Sequence, residues 1–253
     1  MKDSFLLNRE QILFYRRNGY LVVPDVLTGE QCDRMNEIFE QRALAIDRST
    51  GKPYDPEYKG LMNLDRGDYR VRNLLCYYKV VLVLDTLQDA EVVGLQSMFL
   101  FKKTGSTQAW NPHQDNLYPR APHGMYLTGN IPFVDQDKEN GCMYIYPRSH
   151  NENLLDAERF KSFHEESGKN PGHDVSKNLP SDYERIDLPM EKGSLLILHG
   201  NVVHGSYPNK SKRDRPMLLI PYGTKGITQH PNFIPGKTGK REEFSLRPLR
   251  YKI

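Results

Sequence analysis

"GSLLILHGNVVHGSYPNKSKRDRPMLLIPYG", residues 193–223, holds the pattern that decides the fold class. Two short apolar runs, "LLIL" and "MLLIP", sit between glycines and prolines. Apolar runs this short, bracketed this way, read as buried strands, because a buried helix needs a longer periodic stretch. Working outward, "GCMYIYP" (141–147) is another compact apolar run. "MYLTGNIPFVD" (125–135) reads as strand broken by Gly129 and Pro132, and "VVGLQSMFLFKK" (92–103) as strand running to a turn at Gly105. Short strands separated by turn signals are the pattern of a β-sandwich or barrel. We therefore expect a mainly β core over about residues 91–225.

Helices are expected before that core, over about residues 1–90. In "LNREQILFYRRNGY", Asn8 and Gln11 have the spacing of a reciprocal helix cap, and Gly19 suits the helix end. "YLVVPDVL" then reads as a short strand stopped by Pro24. "TGEQCDRMNEIFEQRALAI" repeats the capping signal at Thr28 and Gln31. Its Cys32, Met35, Ile38 and Phe39 fall on one helical face. "LMNLDRGDYRVRNLLCYY" (61–78) reads as mixed loop and helix. A polar insert at about 150–186 is weakly periodic and long enough to act as a lid. The tail from residue 238 has no clear pattern.

Composition narrows the function classes. The 253 residues are 26% charged and 38% hydrophobic, which suits one globular domain spanning 1–253. A net charge of +3, with basic and acidic residues interspersed, excludes no small molecule but argues against a nucleic-acid partner. The chain lacks a long apolar run and an apolar N-terminal segment, so we expect neither a membrane partner nor a secretory signal. Cys32, Cys76 and Cys142 show no CxxC spacing and read as reduced, buried thiols of a cytoplasmic protein.

Chemistry concentrates in two places. "NPHQD" (111–115) puts His113 and Asp115 two residues apart, on the same side of an extended segment. His204 lies just beyond the run "LLILHG". Two imidazoles and one carboxylate on one face of an iron(II) ion leave adjacent positions open for cosubstrate and oxygen. Eleven residues after His204, Arg215 opens the run "RPMLLIPYG". A guanidinium grips a carboxylate through two parallel hydrogen bonds, and the Ser206 hydroxyl can add a third. Arg213, two residues earlier, is the rival clamp.

These pieces, in order, resemble the phytanoyl-CoA dioxygenase family of iron(II)- and 2-oxoglutarate-dependent oxygenases. The resemblance is carried by "NGYLVVPDVLT", "HQD", "DKENGCMYIYPRSH" and "HGSYPNKSKRDRP" and covers most of the chain. It implies a double-stranded β-helix (jelly-roll, cupin-like) flanked by helices. It implies that His113, Asp115 and His204 bind iron, and that Arg215, assisted by Ser206, binds the distal carboxylate of 2-oxoglutarate. It also implies O2 as oxidant, and a small-molecule substrate from a range that spans acyl thioesters, amino acids, phosphonates and natural-product scaffolds. The acid of the triad is present, so oxygenation is expected rather than halogenation. Asn130 stands where some relatives carry a Trp near the cosubstrate. Arg148 stands where relatives often have Gly, and either faces the substrate or is solvated.

Other residues leave alternatives open. Gln108 and Gln114 can hydrogen-bond cosubstrate or substrate. One of Lys102 and Lys103 can point inward. Arg70 and Arg72 can bind an anion or form structural ion pairs. His199 reads as a supporting residue rather than a ligand. Trp110 and Tyr118 line the pocket or simply pack. The rival functions are a hydrolase using another metal in the same site, which has no need of Arg215 and Ser206, and a jelly-roll binding protein without catalysis.

Overall fold

The computed structural model describes residues 6–50, 61–105, 109–160, 172–235 and 241–246. Helix α1 (Arg9–Asn18) begins where the cap residues place it. The Asn8 side chain accepts from the Gln11 amide at 2.8 Å, and the Gln11 side chain accepts from the Asn8 amide at 2.9 Å. Gly19 ends the helix with φ at 79°, a conformation only glycine adopts without strain. Strand β1 (Tyr20–Val23) follows, and then α2 (Gly29–Thr50), capped reciprocally by Thr28 and Gln31. Cys32, Met35, Ile38 and Phe39 are all buried, as their helical spacing requires. Strand β2 (Leu61–Met62) precedes α3 (Tyr69–Leu75) and α4 (Tyr78–Gln88).

The β core then runs through β3 (Val92–Gly94), β4 (Met98–Lys102), β5 (Trp110–His113), β6 (Tyr126–Pro132) and β7 (Met143–Ile145). It continues with β8 (Glu158–Phe160), β9 (Gly172–Asp174), β10 (Ile186–Leu188), β11 (Leu195–His199), β12 (His204–Ser206), β13 (Arg215–Thr224) and β14 (Phe244–Ser245). The larger sheet orders its strands β1-β11-β6-β13, all antiparallel. The free edge of β13 is shared by two strands: Arg215–Leu219 pair with β4, and Tyr222–Thr224 with β3. The smaller sheet is β10-β7-β12-β5. This is the mainly β jelly-roll expected from the sequence.

Alternation along the strands separates two cores. Leu127, Ile131, Leu195, Ile197, Leu218 and Ile220 face outward and pack with helix residues such as Met35, Phe39, Leu74 and Leu84. Phe39 stacks on Phe99 with ring centroids 4.3 Å apart. Residues of opposite parity face the barrel interior. There Leu196, Leu198 and Met217 of the larger sheet meet Met143 and Ile145 of the smaller one. The interior of that barrel holds the polar groups described below.

Two strand expectations need correction. Gly129 does not break β6; a Cβ there would lie 3.1 Å from the Tyr222 ring, so the glycine makes room for that ring inside a continuous strand. "VVGLQSMFLFKK" is two strands, because the chain leaves the sheet at Ser97, whose carbonyl accepts from the Asn63 amide at 2.8 Å and whose hydroxyl bonds Asp65. The tail contributes β14, which pairs with β3 and lays Phe244 over Gly94. The insert forms the ribbon β8–β9, and its Val175 amide donates to the Pro112 carbonyl of β5. Its residues 161–171 lie outside the described residues.

Candidate metal centre

Strands β5 and β12 are neighbours, and His113 and His204 stand directly opposite each other in that pairing. Asp115 opens a short 3-10 turn after β5. Gln114 between them stays extended, at φ −107° and ψ 126°, so His113 and Asp115 keep to one side. All three side chains are buried. Asp115 Oδ1 is 3.5 Å from His113 Nε2, and Oδ2 is 3.7 Å from His204 Nε2. One ligand atom from each residue falls within 4.8 Å of the others, and among the described residues they form the single cluster able to hold a metal ion in this way.

Backbone carbonyls orient both rings. His113 Nδ1 is 2.7 Å from the Asn111 carbonyl, and His204 Nδ1 is 3.1 Å from that of Val202. A carbonyl only accepts, so each Nδ1 carries the proton and each Nε2 offers a lone pair toward Asp115. Thr128 Oγ1 donates to Asp115 Oδ2 at 2.8 Å and holds the carboxylate in place. Burial alone would raise the Asp115 carboxyl, but the neighbouring His204 and His113 outweigh it and bring it down to about 2. Burial, reinforced by His113, takes His204 down to about 4. Burial lowers His113 as well, but Asp115 more than compensates and leaves it raised. The centre thus presents an ionised carboxylate and a neutral His204 imidazole, a donor set suited to a divalent cation.

A cationic end lies on the same interior face. Ser206 follows His204 by two residues, and Lys102 donates to its hydroxyl at 2.7 Å and also to the Tyr207 carbonyl. Lys102 is paired in register with Arg215 across β4 and β13. Arg215 is 2% exposed; its Nη1 contacts the Met217 sulfur, and its Nε has no partner. Burial lowers Arg215 to about 10, and burial together with Arg215 pushes the Lys102 ammonium well below its usual value. Asn130, on the inward side of β6 with Thr128, is fully buried with both amide atoms unpartnered. Buried polar groups without partners cost roughly 1–3 kcal/mol each, so this interior fits a polar, anionic ligand.

The structure places the remaining expected residues as follows. Gln114 is buried, but its amide serves the framework: it bonds the carbonyls of Asn153 and Asn201 and the Leu155 amide. Gln108 lies outside the described residues. Lys103 points outward to Asp214 at 3.0 Å, so Lys102 is the inward one. Arg213 is exposed and pairs with Asp137. Arg70 bonds Asp68 at 2.6 Å, and Arg72 lies 3.7 Å over the Phe244 ring; both are structural. Arg148 is exposed, with φ at 73°, the backbone conformation that glycine adopts freely. His199 belongs to a separate cluster of rings, 4.8 Å from His123 and 5.2 Å from His150. Trp110 and Tyr118 both border the insert, near Gly172. Thr128 was missed; its signal was its place two residues before Asn130 on the same strand face.

The family model for phytanoyl-CoA dioxygenase (PhyH) matches residues 15–217, most of the chain. The chain belongs to the phytanoyl-CoA dioxygenase family. The rat peroxisomal phytanoyl-CoA dioxygenase is 24% identical, over 88% of this chain and 70% of the relative. The zebrafish (Danio rerio) phytanoyl-CoA dioxygenase domain-containing protein 1 is 26% identical, over 83% and 88%. Among solved structures, apo EctD from S. alaskensis superposes with a TM-score of 0.76 at 17% identity, covering 98% of this chain and 89% of that one. The epimerase SnoN, in complex with Fe3+, alpha ketoglutarate and nogalamycin RO, gives 0.73 at 19%, covering 96% and 95%. These two share the fold. Membership makes this chain an oxidoreductase of the iron/2-oxoglutarate oxygenase class, with iron, 2-oxoglutarate and O2 as its cofactors. No helix among the described residues is long and apolar enough to cross a membrane.

Proposed function

We propose that this protein is a cytoplasmic dioxygenase, one domain over residues 1–253, that hydroxylates a C–H bond of a small molecule and releases succinate and CO2. The observation that carries this reading is a buried His–Asp–His face and a buried, partly unpartnered arginine opening into one barrel interior. Iron held there would supply dioxygen activation, with 2-oxoglutarate as the source of electrons. The rest is the work of this chain. His113 and His204 present Nε2 because backbone carbonyls hold their Nδ1 protons. Asp115 contributes the charge that a divalent ion needs, and Thr128 fixes its orientation. Arg215 grips the far carboxylate of the cosubstrate, and Ser206, which accepts from Lys102, keeps its own proton to donate there. Asn130 offers both amide groups to the same molecule. Two residues of strand separate His204 from Ser206, roughly 7 Å, a span suited to a five-carbon diacid held at both ends. The β8–β9 ribbon, packed on β5, is the part of the insert that excludes water from the mouth. Succinate formation requiring both oxygen and 2-oxoglutarate, and lost in His113→Ala, tests the reading; turnover without either cosubstrate overturns it.

A further inference from the structure

Behind the loop that follows Asp115 lies a cleft of about 520 Å³ that the chemistry above does not use. Its walls come from that loop (Arg120, Pro122, His123), from the insert (Asn153) and from the segment after β13 (His230, Asn232). The lining offers a guanidinium, two imidazoles and several amides, and it contains no carboxylate. Its floor is rigid. Asn116 Oδ1 accepts from the Ala121 amide at 2.8 Å, and its Nδ2 donates to the Ala121 carbonyl and to Asn201 Oδ1 at 2.9 Å. Asn201 in turn donates to the Glu152 carbonyl.

Arg120 stands out among the wall residues. Its side chain is exposed and forms no ion pair or hydrogen bond among the described residues. Its backbone sits at φ 51°, the left-handed region, which is strained for a non-glycine residue. The cleft also adjoins the metal centre through the short turn after β5: Asn116, in its lining, directly follows Asp115.

We propose that this cleft holds an anionic group of the substrate, a phosphate or carboxylate remote from the carbon that is oxidised, with Arg120 as its principal partner. The proposal rests on the metal-centre reading for the word substrate, but the anion site itself does not need the metal. A strained, unpaired guanidinium in a cleft free of acids is the arrangement that bidentate anion recognition uses.

Inorganic phosphate is the probe, titrated at fixed ionic strength against the arginine Nε–Hε resonances of the whole chain, with acetate as a parallel arm. One arginine resonance, absent from Arg120→Asn, should shift saturably, and Arg120→Asn should weaken phosphate by about tenfold or more, the weight of one charge-assisted bond. Asn tolerates the left-handed region, so this variant should melt no lower than wild type. Stronger saturation by phosphate than by acetate assigns a phosphate ester; the reverse assigns a carboxylate. His113→Ala should bind phosphate unchanged, so a failed metal-centre reading leaves this result standing. With any compound that stimulates succinate release, phosphate should raise KM competitively. Absence of a saturable shift, or equal binding by Arg120→Asn, overturns the anion site; phosphate bound at Arg120 with KM unmoved overturns its assignment to the substrate.

Discussion

Replacing Arg215 by Met separates the clamp from the fold. Arg215 is 2% exposed and has no carboxylate beside it among the described residues; its Nε is unpartnered, and Met217 supplies only a sulfur contact. In the protein without cosubstrate, the guanidinium is therefore a buried cation held at a cost. Arg215→Met removes that cost and fills similar volume, so urea unfolding should show stability unchanged or raised by up to about 2 kcal/mol. Cosubstrate binding should respond oppositely. Leaving a buried carboxylate without its charged partner costs about 3–5 kcal/mol. At about 1.4 kcal/mol per tenfold, 2-oxoglutarate affinity should fall by roughly two to four orders of magnitude. Anaerobic calorimetry of 2-oxoglutarate into the iron-loaded protein measures it, with Arg213→Ala as the control, since that side chain points outward to Asp137. Lys102→Met should cost less, because Lys102 already has Ser206 and the Tyr207 carbonyl. Affinity within a few-fold of wild type for Arg215→Met, beside a large loss for Arg213→Ala, would refute the assignment.

Three further outcomes are expected. His113→Ala, Asp115→Ala and His204→Ala should each abolish iron retention and succinate formation, while His199→Ala keeps its iron; metal analysis after gel filtration reads both. Thr128→Val, which removes the hydroxyl bond to Asp115, should weaken iron by about 10–100-fold with little change in melting temperature. Burial, with His150 and His123 close by, takes His199 down to about 3, so it is neutral when folded and gains a proton on unfolding below its ordinary value. That stability is fully present above about pH 6.5 and drains as pH falls toward 3, at up to about 1.4 kcal/mol per pH unit; His199→Asn, which keeps an acceptor for the Asn201 amide, should flatten urea midpoints across that window.

Local rules made much of the fold legible. Both helix caps, the Gly19 stop and the apolar face of α2 are set by residues within a turn of one another, and each formed as its spacing demands. Strand identity was legible for the same reason. Strand pairing was not: β1 lies against β11 through Tyr20 and Leu198, a contact between distant segments that local periodicity does not encode. The break between β3 and β4 was hidden likewise, because Ser97 leaves the sheet for partners near residue 63. For Arg70 and Arg72 the sequence left an anion site and structural ion pairs both open, because only the fold shows that Asp68 and Asp65 sit against them.

The site was legible where parity along a strand decides it. His204 and Ser206 share a face because they are two apart, and Lys102 rather than Lys103 joins them because Phe99 and Phe101 pack toward the helices. What no spacing encodes is the balance of charge across strands. Asp115, ionised, sits between two imidazoles at one end; at the other, Lys102 and Arg215 face each other across β4 and β13, and Arg215 adds to burial in driving the ammonium down. Like charges on paired strands of a buried interior are unfavourable until an anion lies between or beside them. A carboxylate at that end relieves both at once, and a divalent cation does the same for Asp115. The two ends are thus complementary to one cation and one diacid bound together, and Arg215 supplies its side of that complementarity before either arrives.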